Sequence, residues 1–226
     1  MVNPAVLFDI DGTLVDSNYA HVAAWSRALE EVGHPVDSWR IHRGIGMDSA
    51  LLLDELLGGR ADDLGERASA LNSQIYLDSA GSLRAFANAR ELVSAVAALG
   101  LQVVLATSAP DDELELLRSV LGIEDDLALV TSAGDVEQAK PAPDIVQVAL
   151  ERAGVEASAA IMVGDSVWDV RGAAAAGVPC IGLLSGGTGR LELLEAGAIA
   201  VYEDAGDLLA HLDDSAIASL ALTAAD

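Results

Sequence analysis

Six short runs, at residues 5–8, 101–106, 127–130, 160–163, 180–184 and 198–202, are apolar almost from end to end. A strand with one face in water alternates apolar with polar residues. A strand covered on both faces does not, so these runs predict a parallel sheet buried between two layers. Helical patterns separate them, at 88–99, 112–121, 143–153, 170–176 and 191–196. Strand and helix in alternation specify an α/β fold with a doubly wound parallel sheet. One interval breaks the rhythm. No strand is expected from 17 to 85, where helical patterns at 19–32, 48–57 and 62–77 are joined by turns containing Gly and Asp. The expected organisation is a Rossmann-like core of residues 1–16 and 86–226. An all-helical cap subdomain, 17–85, is inserted after the first strand and lies over the C-terminal strand ends. The tail, 213–226, is expected to be a last helix or a frayed end.

With 226 residues, 52% of them hydrophobic, the chain has ample material for such a core. The uncharged stretch 92–109 is long enough to suggest a membrane span, but Gly100 and Gln102 divide it into a helix, a turn and a buried strand. The formal charge is −24, from 36 acidic and 12 basic residues. That field repels nucleic acid and anionic membrane, so neither is an expected partner. It also repels an anionic substrate, so a phosphate site here requires local positive charge from a metal, a lysine or helix N-termini. Cys180, the one cysteine, sits between Val178-Pro179 and Ile181 and reads as core. Asp9 and Asp11 interrupt the first apolar run, so no signal peptide is expected, and the expected location is cytoplasmic.

In a doubly wound sheet ligands bind at the C-terminal ends of the strands, which makes the residues there the candidates for chemistry. The first end carries Asp9 and Asp11, followed by Gly12-Thr13. Residues i and i+2 of an extended chain share a side, about five to seven ångströms apart, and two carboxylates so placed call for a cation or a proton. An Asp-Gly hairpin turn is the plain alternative, but Leu14-Val15 runs into Asp16-Ser17-Asn18, a helix start. The second end gives Thr107 and Ser108, the third leads to Lys140-Pro141-Ala142-Pro143-Asp144, and the fourth gives Gly164-Asp165-Ser166 with Asp169 a turn later. Singly these read as a helix cap, a surface lysine and a turn with its N-cap. In succession on the strand ends of one sheet they read as a site.

Taken in that order, the four segments resemble the motifs of the haloacid dehalogenase superfamily of phosphohydrolases, and the likeness spans nearly the whole chain. The helical insertion is similar to that family's cap. The resemblance implies that Asp9 is a nucleophile forming an aspartyl-phosphate. Asp11 is implied to be the acid and base, protonated at the first step through its charged neighbours. Mg²⁺ is the implied cofactor, held by Asp9, the backbone carbonyl of Asp11 and Asp165. Asp169 is either a ligand through water or the partner that orients Lys140. Lys140 offsets negative charge, while Thr107 and Ser108 donate to the phosphoryl oxygens.

In the cap, His21 and Trp25 resemble the His-then-Trp pattern of the β-phosphoglucomutase and sugar-phosphatase branch, although both also suit a helix packed on a cap core. Arg43-Gly44-Ile45-Gly46-Met47 resembles the Arg/Lys-Gly substrate loop of related phosphatases and of the mutase. His21, Arg43 and Gly44 therefore join Ser108 as candidate substrate-binding residues. The mutase branch carries a further arginine after that glycine; here the positions hold Gly46, Met47 and Asp48, which favours hydrolysis. Gly164-Asp165-Ser166 with Asp169 is similar to the phosphoglycolate-phosphatase-like pattern. The expectation is a phosphatase acting on a small phosphorylated metabolite, phosphoglycolate or a sugar phosphate, as a monomer or homodimer. A phosphosugar mutase and a non-enzymatic phospho-accepting module are the alternatives. A dehalogenase is disfavoured because it does not need Asp11.

Overall fold

The computed structural model describes residues 3–135, 140 and 142–224. Among them six strands form one sheet, all parallel: β1 (Ala5–Phe8), β2 (Gln102–Ala106), β3 (Leu129–Thr131), β4 (Ala160–Gly164), β5 (Cys180–Leu183) and β6 (Ala200–Tyr202), in the order β3-β2-β1-β4-β5-β6. The chain winds outward from β1 through β2 to β3, then returns to place β4 on the other side of β1. That reversal opens a crevice at the C-terminal ends of β1 and β4.

Inside each apolar strand the period of two still operates. Val6, Phe8, Val103, Leu105, Ile161 and Val163 face one buried cluster; Ala5, Leu7, Val104, Ala106, Ala160 and Met162 face the other. Four helices cover the first face: α5 (Ala89–Ala98), α6 (Asp111–Leu121), α10 (Ala205–Ala210) and α11 (Ala216–Ala224). Helices α7 (Asp144–Ala153), α8 (Val167–Ala175) and α9 (Arg190–Ala196) cover the second. Cys180 is buried and free in that second layer, where desolvation pushes its thiol well above the usual range.

Between β1 and β2 the chain forms α1 (Asn18–Glu31), α2 (Ser38–Gly44), α3 (Ser49–Leu57) and α4 (Ala61–Asp78), with short 3₁₀ turns. These helices have a core of their own, in which Trp25, Leu29, Ile41, Leu52, Leu56 and Ala68 are buried together. The helix α2 has no counterpart in the sequence reading. It is seven residues long, SWRIHRG, buries only Ile41 and Gly44, and has no side-chain cap, so nothing periodic announces it. No helix of the described residues is long and apolar enough to cross a membrane.

Candidate active site

β1 stops at Phe8, and the next residues turn instead of extending. The carbonyl of Ile10 accepts from the amides of Thr13, Leu14 and Val15, and Gly12 takes φ +76°, which a side chain would strain. Asp9 and Asp11 therefore do not act as an i, i+2 pair on a strand. Both line one cavity, but they reach different partners. Asp9 turns to Lys140, whose Nζ lies 2.5 Å from its Oδ1. Asp11 turns to the first helix, accepting from Ser17 Oγ at 2.6 Å and sharing a 3.1 Å bond with His21 Nε2.

The floor is a buried charge cluster. Lys140 and Asp169 are 1% exposed, Asp165 3% and Asp9 6%. Lys140 bridges Asp9 and Asp169, the latter at 2.6 Å. The other oxygen of Asp169 accepts from the amide and hydroxyl of Ser166, completing a capping box at the start of α8. Ser166 is therefore the N-cap of α8, and Asp165 and Asp169 beside it belong to the buried charge cluster. Asp165 accepts from Thr13 Oγ1 at 3.0 Å and Asn18 Nδ2 at 2.9 Å. Gly186 lets the backbone close on it, since a Cβ there would lie 1.6 Å from Asp165 Oδ2.

Oxygens of Asp9, Asp165 and Asp169 lie within 4.8 Å of one another. Burial, together with the neighbouring carboxylates, pushes Asp165 well above the usual range and Asp9 up to about 7, against the pull of Lys140. One ammonium among three buried carboxylates leaves excess negative charge, and the donors are all oxygen. That is the environment of a small hard cation such as Mg²⁺. Asp9, Asp165 and Asp169 are the carboxylates that could hold it; of these Asp169 also accepts from Lys140 and Ser166, Asp165 from Thr13 and Asn18, and Asp9 from Lys140.

The expectation that charged neighbours protonate Asp11 is not met. Burial pushes its pKa up, but His21 and Ser17 more than offset this and hold it below the ordinary range. Burial works against a charged His21 as well, yet the ion pair with Asp11 raises it overall. The imidazole is stacked on Tyr76, with ring centroids 3.9 Å apart.

Thr107 and Ser108 both line the cavity. Thr107 caps no helix; its Oγ1 accepts from the amide of Ala109 at 3.1 Å, which leaves the hydroxyl proton available to a ligand. Ser108 Oγ is buried without a hydrogen-bond partner among the described residues. Trp25 belongs to the cap core and to the cavity wall at once.

Arg43 and Gly44 are placed elsewhere. They end α2, and neither lines the cavity with Asp9 and Asp11, although Ile45, Gly46 and Met47 directly after them do. The Arg43 guanidinium, 56% exposed, pairs with Glu192 on α9 at 2.9 Å and ties the helical insertion to the core. Gly44 is a packing residue, where a Cβ would meet Leu52 Cδ1 at 2.3 Å. Of the third motif, Pro141 lies outside the described residues.

Sequence reasoning missed Thr13, Ser17 and Asn18 as supports of the two acids. Their signal was present, as three polar side chains directly after the acidic pair. It also missed Glu113 on α6, which is 5% exposed in the cavity wall, with burial pushing its carboxyl up to about 7. An acid in a first helical turn is the ordinary dipole pattern, so no signal separated it from Asp111 and Asp112.

Residues 4–177 match the haloacid dehalogenase-like hydrolase family. A phosphoglycolate phosphatase of Rhodospirillum rubrum is 34% identical over 210 residues, which are 88% of this chain and 87% of that protein. A hydrolase from Pseudomonas syringae has TM-score 0.89 at 36% identity, over 94% of this chain and 99% of that one. A β-phosphoglucomutase from Clostridium difficile, at TM-score 0.80 and 19% identity over 94% and 96% of the two chains, shares the fold.

Proposed function

The chain belongs to the haloacid dehalogenase-like hydrolases and is a phosphoric monoester hydrolase, and from that premise we propose that it cleaves a small organic phosphomonoester through an aspartyl-phosphate on Asp9, with Mg²⁺ as its cofactor. The observation that carries this reading is the division of labour between the two acids. Asp9 is fixed by Lys140 on the floor, while Asp11 faces the same cavity from a pair with His21.

An Asp9 oxygen attacks phosphorus, and the bond from phosphorus to the ester oxygen breaks. The leaving oxygen takes its proton from the Asp11–His21 pair, whose shared proton the ion pair keeps on the imidazole. A water then gives its proton back to that pair and attacks the aspartyl-phosphate, releasing inorganic phosphate and restoring Asp9. Lys140, the Thr107 hydroxyl and the Ser108 amide hold the phosphoryl oxygens throughout. Positioning and charge supply most of the rate in such a transfer. Mg²⁺ held by Asp9, Asp165 and the backbone carbonyl of Asp11 would supply further positive charge against those oxygens.

The cavity is about 250 Å³, which suits a small metabolite rather than a polymer. Phosphoglycolate, from the names of the relatives, and sugar phosphates are the candidate substrates. The test is phosphate release from p-nitrophenyl phosphate and a panel of small phosphoesters, with and without EDTA. We expect release that EDTA abolishes and Mg²⁺ restores. Turnover that survives EDTA would break the metal assignment, and silence across the panel would break the phosphatase reading.

A further inference from the structure

Beyond the groups that handle the phosphoryl unit, the cavity walls carry acceptors without partners. Glu113, 5% exposed, donates its backbone amide to Asp112 at 3.0 Å, while its carboxyl group, which feels the charges of His21 and Asp11, makes no hydrogen bond among the described residues. Asn72, 6% exposed, has its Oδ1 buried and unpaired in the same wall. Asp112 lies beside them. Cations are scarce. Of the cavity's lining residues only His21 can carry positive charge, and it is committed to Asp11. Lys140 lies on the floor between Asp9 and Asp169. Arg43 is on Glu192, and the cap contributes Ile45, Met47 and Leu52 where a cation would be needed. Residues 136–139 and 141 include neither lysine nor arginine.

A ligand fills such a cavity well only if it brings hydrogen-bond donors and no second negative charge. Buried acceptors left unpaired are costly, and a fixed anion placed among carboxylates is costlier. A hydroxyl satisfies Glu113 in either of its protonation states, because it both donates and accepts; a carboxylate satisfies only the neutral one.

Resting on the phosphatase reading above, we propose that the leaving group is an uncharged polyhydroxy chain whose hydroxyls pair with Glu113 and Asn72, and that the site discriminates against a phosphoester bearing a second anionic group. The chain therefore differs in selectivity from the relatives named for phosphoglycolate.

The test compares kcat/KM for glycerol 3-phosphate, glucose 6-phosphate, phosphoglycolate and p-nitrophenyl phosphate. We expect the better of the two polyol phosphates to exceed phosphoglycolate by at least tenfold. Glu113→Lys should shift that ratio towards phosphoglycolate by at least tenfold, and Asn72→Leu should shift it in the same direction by less. If either variant fails to fold, the wild-type ratio decides the matter alone. Phosphoglycolate equal to or better than both polyol phosphates in the wild type overturns the proposal while the phosphatase reading stands. A ratio unmoved in folded Glu113→Lys also overturns it. No turnover of any of the four, the aryl ester included, fells the phosphatase reading and this inference with it.

Discussion

The floor and the upper wall of the cavity are built on opposite plans. On the floor every charged group is held: Asp9 by Lys140, Lys140 by Asp9 and Asp169, Asp165 by Thr13 and Asn18, and Asp169 by Lys140 and the Ser166 cap. In the wall the Glu113 carboxyl and Asn72 Oδ1 have no hydrogen-bond partner among the described residues, although Ser69, Ser73, Asp112 and His21 line the same cavity. Groups that must meet a reacting phosphorus benefit from being fixed beforehand, because reorganisation during the reaction is what slows it. Groups that recognise a leaving group gain from waiting unpaired, since the ligand then completes them. On the proposed function, one fold thus contains a restrained region for chemistry and an unsatisfied one for selection.

This contrast can be broken at graded positions. Asp9→Asn should lower kcat by about 10⁴-fold or more while circular dichroism and the melting transition stay near the wild type. A modest loss would mean that the floor supplies electrostatics rather than a nucleophile. Lys140→Met should destabilise by about 3–5 kcal/mol in denaturant titration, because it strands two buried carboxylates. A loss below about 1 kcal/mol would show that the floor is not restrained by this ammonium. Thr107→Val, which keeps the shape and removes the hydroxyl, should cost about 10²-fold in kcat, with little change in KM. An effect confined to KM would move Thr107 from the floor's plan to the wall's. Arg43→Ala should be the smallest, within about 1 kcal/mol in stability, as befits an exposed pair, with an unaltered order of substrates. A reordered substrate panel would return Arg43 to the site, against the position of its guanidinium.

Legibility in the sequence followed the same division. The floor was readable because a doubly wound sheet delivers its strand ends to one edge whatever the details of packing. Asp9, Thr107, Lys140 and Asp165 could therefore be assembled from strand order and motif spacing. The wall was not readable in the same way. Glu113 looks like any acid in a first helical turn, and Asn72 like any polar residue on an amphipathic helix. Arg43 looked like a substrate residue until the seven-residue helix α2 carried it to Glu192.

Local sequence determined the strands, the burial of the central ones on both faces, the helical insertion and the acids offered at the strand ends, because hydrophobic period and turn chemistry act over a few residues. Only the tertiary structure decided where the side chains of Asp11, Glu113, Asn72 and Arg43 reach. Asp11 meets Ser17 and His21 at the start of the next helix, Arg43 meets Glu192 far along the chain, and the Glu113 carboxyl and Asn72 Oδ1 have no hydrogen-bond partner among the described residues. Docking of the helical insertion on the sheet edge fixed which acid pairs with His21, which cation leaves the cavity and which acceptors remain open.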